Sequence, residues 1–162
     1  MHPTLILQLL ILVALANAAP VVAKKLLGKQ FAWPLDGGAA FVDGQPLLGS
    51  SKTMRGIVVS LLATPLAAVL IGLGWEAGAL VAVAAMAGDL ISSFVKRRLG
   101  FPPSSMAVGL DQIPESLLPF IAASWLFPVS LLDLVAGTAI FFVGGLALSR
   151  ILFKLRIRDE PY

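Results

Sequence analysis

Apolar residues run along the chain in five long stretches that are separated by polar or glycine-rich segments. The stretches cover residues 5–23, 57–74, 78–95, 115–129 and 134–153. A helix needs about 20 mostly apolar residues to cross a hydrocarbon core about 30 Å thick. The pattern therefore predicts an all-α integral membrane protein with five transmembrane helices. Gly72 and Gly74 predict a tight turn between the second and third helices, and residues 128–133 predict another between the fourth and fifth.

The composition supports a membrane protein and limits its chemistry. The 162 residues are 58% hydrophobic and 13% charged, whereas a soluble domain carries about 25% charged residues. Residues 1–162 are thus predicted to form a single membrane-embedded domain. Cysteine is absent and the one histidine is His2, at what we expect to be a frayed end. Chemistry must then use Asp, Glu, Lys, Arg, Ser or Thr.

The first apolar stretch has two interpretations. Ala16-Asn17-Ala18 resembles the small-residue cleavage site of a signal peptide. However, no Lys or Arg precedes the stretch, and Lys24 and Lys25 follow it as they would follow a retained membrane helix. We favour the retained helix.

The basic residues predict the orientation. Five crossings place all twelve on one side, in loops 24–56 and 96–113 and at the C-terminus. The positive-inside rule makes that side cytoplasmic, with the N-terminus outside. We therefore expect a multi-pass protein of the cell membrane whose basic face meets anionic headgroups or an anionic substrate, and no nucleic acid. The residues are Lys24, Lys25, Lys29, Lys52, Arg55, Lys96, Arg97, Arg98, Arg150, Lys154, Arg156 and Arg158.

Asp89 lies inside the third stretch, where a carboxylate costs about 2.5–3.5 kcal/mol on insertion scales. Such a group normally faces the protein interior or a water-filled cavity. Helical spacing places Ser93, Lys96 and Arg97 on the face that carries Asp89. The plain alternative is a stop-transfer cluster of three cations, but the buried aspartate favours a functional face.

Residues 49–56, before the second stretch, predict an anion site. Ser50 or Ser51 would cap the helix, and Lys52 and Arg55 are three residues apart at its N-terminus. Free backbone N–H groups, the helix dipole and two cations suit a phosphate group. A capped helix start with exposed cations is the alternative.

Two further segments carry carboxylates. Asp36-Gly37-Gly38 marks a turn whose small residues would let a ligand approach the backbone, although it could equally be a simple turn. Asp111, at the start of the fourth stretch, is expected to meet Asp89 at the cytoplasmic end of the bundle, unless it only caps the helix at Pro114. Carboxylates and phosphates are the ligands that Mg²⁺ prefers. The residues thus indicate Mg²⁺-assisted phosphoryl or nucleotidyl transfer at the membrane surface.

The motifs resemble those of a known family. Gly88-Asp89-Leu90 with Ser93, Lys96-Arg97-Arg98 and Leu110-Asp111-Gln112 looks like the C-terminal signature of phosphatidate cytidylyltransferases. Together with Asp36-Gly37-Gly38, Asp43-Gly44 and the segment from Gly49 to Gly56, it more closely resembles the CDP-archaeol synthases. The bacterial signature has a further Asp where Pro114 stands here, and Glu115 is the nearest carboxylate.

The resemblance implies that the phosphate of an isoprenoid glycerol ether lipid attacks CTP, releasing pyrophosphate and a CDP-activated lipid. It implies catalytic roles for Asp89, Asp111 and Lys96, with Mg²⁺ held by the two aspartates. The residues implied to bind CTP and the lipid phosphate are Asp36, Gly37, Gly38, Lys52, Thr53, Arg55, Gly56, Lys96, Arg97 and Arg98.

Three other functions fit parts of the pattern. One is a small transporter or channel with an ion site at Asp89, although its charges lie at one face rather than at the midplane. Another is a CDP-alcohol phosphatidyltransferase, whose motif requires Arg where Phe41 stands. The third is a non-catalytic scaffold with a lipid-binding basic face. Ala84-x-x-x-Gly88 and Gly144-Gly145 predict close-packing surfaces that would suit a homo-oligomer.

Overall fold

The computed structural model describes the backbone of residues 1–154 and the side chains of residues 1–149. It contains five α-helices, and in this part of the chain only two isolated β-bridges interrupt the helical and loop structure. The prediction of an all-α protein is confirmed. Arg156 and Arg158, and the side chains of Arg150 and Lys154, lie outside the described residues. The helices are α1 Pro3–Leu27, α2 Met54–Leu70, α3 Trp75–Arg98, α4 Gln112–Ala123 and α5 Leu131–Lys154.

Three of these helices, α1, α3 and α5, are long and apolar enough to cross a membrane. At 1.5 Å per residue, the 17 residues of α2 span about 25 Å and the 12 residues of α4 about 18 Å. The fourth apolar stretch yields a shorter helix than predicted, because the chain leaves the helix after Ala123 and turns before Pro128. The two predicted turns are present, at residues 71–74 and between α4 and α5.

Each of the helices α1, α2 and α3 runs antiparallel to the next one along the chain, and small residues let these neighbours pack closely. Gly56 at the start of α2 faces Pro20 of α1, where an added Cβ would lie 3.1 Å from the proline Cβ. Gly78 at the start of α3 packs on the end of α2, where an added Cβ would lie 2.7 Å from that of Ala68. Leu9 and Leu12 of α1 are fully buried in the core, as the retained-helix interpretation requires.

The ends of the bundle differ in charge. The backbone N–H of His2 donates to Asp133 Oδ1 at 2.8 Å, and its ring Nδ1 lies 2.9 Å from Asp133 Oδ2. The expectation of a frayed His2 is therefore wrong, because its contacts hold the start of α1 against the start of α5. Trp75 and Trp125 are exposed at this end. The opposite end collects the C-termini of α1 and α3 and the N-termini of α2 and α4, and with them the cations of residues 24–98.

The loop from residue 28 to 53 is folded back on itself. Its two ends pair through the hydrogen bonds from Leu35 N to Lys52 O, 2.8 Å, and from Met54 N to Trp33 O, 3.0 Å. Thr53, rather than Ser50 or Ser51, caps α2, because its Oγ1 accepts from the backbone N–H of Gly56 at 3.2 Å. The pairing brings Lys52 to the head of α2, directly beside α3.

Candidate active site

The buried acid of α3 meets the basic start of α2. Lys52 Nζ lies 2.5 Å from Asp89 Oδ1 and 2.6 Å from Asp89 Oδ2, and both side chains are about four-fifths buried. The two predicted constellations are therefore one cluster. An ammonium on both oxygens of a largely buried carboxylate lowers the cost of placing that carboxylate in the bundle.

A second lysine–aspartate pair lies about two helical turns further along α3. Lys96 Nζ approaches Asp111 Oδ1 at 2.7 Å and donates to the carbonyl of Ser105 at 2.8 Å. The other Asp111 oxygen accepts from the backbone N–H of Ala107 at 2.8 Å. Asp111 occupies the N-cap position of α4 but makes no side-chain cap hydrogen bond. Its carboxylate instead orders the loop before α4.

Glu115 is the residue that sequence reasoning named only as the nearest substitute for the aspartate missing at Pro114. Its backbone N would lie 2.8 Å from a Cβ added to Gly88, the residue before Asp89, so Glu115 starts from a point beside the acid of α3. The available clue was position: Glu115 stands one helical turn after Asp111, so the two share a helix face. Within residues 1–154, no three acidic or histidine side chains converge closely enough to hold one metal ion.

Arg97 is the most deeply buried of the arginines that keep unused hydrogen-bonding capacity among the described residues. It is 3% exposed, and its Nη2 donates to the carbonyl of Pro102 at 2.8 Å. Its buried Nε and Nη1 have no partner among the described residues. Nη1 faces Gly49, where an added Cβ would lie 3.3 Å away. Because an unpaired buried charged donor is unfavourable, this guanidinium is suited to an anionic ligand.

The other two predicted arginines hold loops in place. Arg55 Nη1 donates to the carbonyls of Gly28 at 3.1 Å and Gln30 at 2.5 Å, which ties α2 to the end of α1. Arg98 packs over the rings of Phe41 and Phe94, with its guanidinium carbon 4.7 and 4.9 Å from their centroids. Arg98 Nε is also 3.1 Å from Asp43 Oδ2. In this arrangement Arg55 and Arg98 anchor the loop from residue 28 to 53.

Asp36 organises the same loop. Its Oδ2 accepts from the backbone N–H groups of Leu48 at 2.9 Å and Gly49 at 3.2 Å, and its Oδ1 accepts from Gly38 at 3.0 Å. Burial alone would raise the pKa of Asp36, but these donors outweigh burial and lower the pKa from its usual 3.8. Gly37 and Gly38 are exposed, with φ of 59° and 82° and no atom within 4 Å of an added Cβ. A ligand can therefore reach their backbone.

The structure thus brings Lys52, Asp89, Lys96, Asp111 and Glu115 into one charged cluster at the head of an apolar bundle. Arg97 lies on α3 beside it. The remaining predicted residues, Asp36, Gly37, Gly38, Thr53, Arg55, Gly56 and Arg98, lie in the neighbouring loop and helix start, where their side chains or backbone shape the surroundings of the cluster.

Comparison with known proteins places the arrangement in a family. The model of a CarS-like CDP-archaeol synthase family matches residues 74–162, more than half of the chain. The chain belongs to the CDP-archaeol synthase family. A CDP-archaeol synthase of Pyrobaculum calidifontis is 32% identical over 97% of this chain and 98% of its own length. One from Pyrococcus furiosus is 40% identical over 69% of this chain and 70% of its own.

A solved structure described as an intramembrane enzyme for archaeal membrane lipid biosynthesis has the same fold. It superposes with a TM-score of 0.77 at 32% identity, over 87% of this chain and 90% of the other. The predicted family, and with it the prediction of a membrane-embedded enzyme of the cytidylyltransferase class, is confirmed. Family membership sets aside the channel, the scaffold and the CDP-alcohol phosphatidyltransferase.

Proposed function

We propose that this CDP-archaeol synthase homologue transfers the cytidylyl group of CTP to the phosphate of an isoprenoid glycerol ether lipid. The products are a CDP-archaeol-type lipid and pyrophosphate. The contact between Lys52 and Asp89 supports this proposal most directly. It joins residues 49–56, the predicted phosphate site, to the buried acid of α3 at the polar end of an apolar bundle. A water-soluble nucleotide and a membrane lipid could both reach such a cluster.

The reaction requires little acid–base catalysis by the protein. An oxygen of the lipid phosphate forms a bond to the α-phosphorus of CTP, and the bond from that phosphorus to the β-phosphate oxygen breaks. The attacking phosphate is largely deprotonated near pH 7, because its second pKa is about 6. Catalysis then consists of aligning two anions and neutralising their charge.

The cations around Asp89 would carry this neutralisation. Arg97 has two guanidinium nitrogens without a partner among the described residues and would bind the triphosphate, with Arg98 stabilising the loop beside it. Lys52 and Lys96 would turn from their carboxylates toward phosphate oxygens when substrates arrive. The exposed backbone at Gly37 and Gly38, held by Asp36, would contact the ribose or the cytosine.

Magnesium fits the donor chemistry of the cluster. Asp89 presents two carboxylate oxygens that already face a cationic atom, Lys52 Nζ. Asp111 is the second proposed ligand, and it could approach the same ion after releasing Lys96. Mg²⁺ is typically bound by one or two carboxylates together with substrate phosphates. Bound there, it would neutralise charge on the triphosphate.

We further propose that residues 1–162 form one catalytic domain with five crossings of the cell membrane. Shorter α2 and α4 would cross where the bilayer thins around the protein or where their ends are covered by loops. The N-terminus would lie outside, the C-terminus and the charged cluster at the cytoplasmic face. A homo-oligomer remains compatible with Gly144 and Gly145, which have open space beside them.

The proposed activity is tested with purified protein in detergent, labelled CTP, Mg²⁺ and an isoprenoid glycerol phosphate lipid, following the CDP-lipid and pyrophosphate. We expect Asp89→Asn to lower the rate at least about a hundredfold, in a protein that still unfolds cooperatively although at a lower temperature, because Lys52 loses its carboxylate partner. The matched control is Glu76→Gln, an exposed acid in the first turn of α3 at the other end of the bundle. Wild-type rates in Asp89→Asn would refute the assignment.

A further inference from the structure

Two exposed aromatic rings follow the end of α1. Phe31 is 59% exposed and Trp33 is 68% exposed, and their ring centroids are 6.0 Å apart in an edge-to-face arrangement. Leu26, near the end of α1, is 78% exposed. Neighbouring apolar side chains of this size are unfavourable in water and indicate a surface that meets a lipid or a protein. We call Phe31 and Trp33 the aromatic pair.

The backbone that carries the aromatic pair is fixed on both sides. Arg55 Nη1 donates to the carbonyl of Gln30, the residue before Phe31, and the backbone N–H of Met54 donates to the carbonyl of Trp33 at 3.0 Å. Phe31 itself has a φ of 54°, in the left-handed region that a residue with a bulky side chain rarely adopts. A strained residue that its neighbours hold in place indicates a functional constraint on its ring.

The hydrogen bond from Met54 also sets the depth of the aromatic pair. Met54 is the first residue of α2, and Gly56 in the same turn packs against Pro20, which lies inside α1 rather than at its end. The 25 residues of α1 span about 37 Å, more than a hydrocarbon core of about 30 Å. The start of α2, and Trp33 with it, therefore lies near the boundary between the hydrocarbon and the headgroups.

Lysines beside the aromatic pair favour a lipid surface over a protein partner. Lys24 in the last turn of α1 and Lys29 in the following turn are both exposed. Tryptophan is enriched at the headgroup level of a bilayer, where its ring is buried and its indole N–H stays hydrated. Lysines at the same level attract anionic headgroups. The charge and the depth of this surface thus both match an anionic lipid layer.

We propose that the aromatic pair and Lys29 form a membrane anchor, which inserts into the anionic headgroup layer and holds the loop from residue 28 to 53 against the bilayer. Asp36 and the exposed backbone of Gly37 follow the pair closely in the sequence. The anchor therefore keeps this part of the loop at the depth of lipid phosphates. The inference depends on the membrane-embedded fold and is independent of the proposed reaction.

The test uses the full chain in phosphatidylcholine vesicles that contain phosphatidylglycerol. Trp75→Phe with Trp125→Phe leaves Trp33 as the single tryptophan, since the sequence has three. We expect lipids brominated near the glycerol end of their acyl chains to quench its fluorescence at least about twofold, and aqueous iodide to quench it by less than about a fifth.

The matched control moves the single tryptophan to a position that we expect to face water. Val42 is 93% exposed in the same loop, beside the acidic Asp43. Val42→Trp in a protein that also carries Trp33→Phe, Trp75→Phe and Trp125→Phe should show the opposite pattern, with strong quenching by iodide and little by brominated lipid.

Two further variants separate the ring and the charge from the backbone. Glycine adopts a φ of 54° without strain, so Phe31→Gly keeps the loop conformation and loses only the ring. In the protein with Trp33 as its single tryptophan, we expect Phe31→Gly to raise iodide quenching at least about twofold. Lys29→Gln should raise it in vesicles that contain phosphatidylglycerol but not in vesicles of phosphatidylcholine alone.

Thermal unfolding in detergent checks that each variant is folded. Trp33 that is quenched by iodide as strongly as the Val42→Trp protein, and not by brominated lipid, would overturn the anchor. Unchanged iodide quenching in folded Phe31→Gly would reject the role of the aromatic pair. The same result in Lys29→Gln with phosphatidylglycerol present would reject the attraction to anionic lipid.

Discussion

Individual cations at the charged end of the bundle differ in how many hydrogen-bond donors they keep available for a ligand. Lys52 and Lys96 each neutralise a carboxylate, and Arg98 packs over two aromatic rings. Arg97 and Arg98 each have two buried guanidinium nitrogens without a hydrogen-bond partner among the described residues, but Arg97 is more deeply buried and makes no contact with an aromatic ring that would compensate. Position in the sequence does not separate Arg97 from Arg98, because the difference arises from which loop each side chain meets.

The state of Arg97 leads to a prediction for substrate binding. Arg97→Gln should raise the KM for CTP about 10- to 100-fold, the equivalent of one or two hydrogen bonds to a charged group. The fold should persist, because Arg97 makes a single hydrogen bond, to Pro102. Lys24→Gln, which removes an exposed cation from the same end, is the control. A KM for CTP equal to wild type in folded Arg97→Gln would exclude a role in binding the triphosphate.

At the scale of elements, the contact between α3 and α4 decides the geometry of the acidic cluster. Helix α4 is only 12 residues long, and the packing of its buried side chains fixes its position in the bundle. Ser116, Pro119 and Phe120 are buried, and the Phe120 ring fills the space opposite Gly137 of α5. The small residue Gly88 then brings the first turn of α4 up to Asp89.

This packing can be tested with one methyl group. Gly88→Ala should lower the free energy of unfolding by about 1–3 kcal/mol, because the new Cβ would overlap the backbone of Pro114 and Glu115. Thermal unfolding in detergent measures the change. Gly144→Ala is the matched control, since nothing lies within 4 Å of its added Cβ and alanine favours a helix by up to about 1 kcal/mol. Equal unfolding temperatures for Gly88→Ala and the wild type would contradict the close contact.

The whole molecule separates its polar surfaces along the bundle axis. One end is tied together by His2 and Asp133 and exposes two tryptophans, whereas the other carries the cations and the acidic cluster. By the positive-inside rule, this distribution supports the proposed orientation, in which the cationic end faces the cytoplasm.

The natural absence of cysteine makes this orientation simple to test. Val42→Cys, at a position 93% exposed in the loop from residue 28 to 53, should react with a membrane-impermeant maleimide only in inside-out vesicles. Leu126→Cys, 50% exposed between α4 and α5, should react only in right-side-out vesicles. Labelling of both residues from the same side would rule out the proposed topology.

The sequence predicted the helices well but their ends less well. All five apolar stretches form helices, because apolar runs of this length need a helical backbone to satisfy their N–H and C=O groups in lipid. The sequence predicted Ser50 or Ser51 as the N-cap of α2, whereas the N-cap in the structure is Thr53. The helix begins later because Lys52 and Met54 are held by backbone hydrogen bonds to the earlier part of the loop. Helix α4 ends early because the chain turns before Pro128.

Local sequence by itself determined that this protein is helical, membrane-embedded and a member of the CDP-archaeol synthase family, since hydrophobic runs and short motifs do not depend on distant contacts. The partners of each charge were decided only by the tertiary structure. Lys52 and Asp89 are 37 residues apart, and the start of α4 lies beside Asp89 because glycine at position 88 lets two backbones touch. Such pairings depend on how the helices pack against one another, and the spacing of residues along a single helix does not predict that packing.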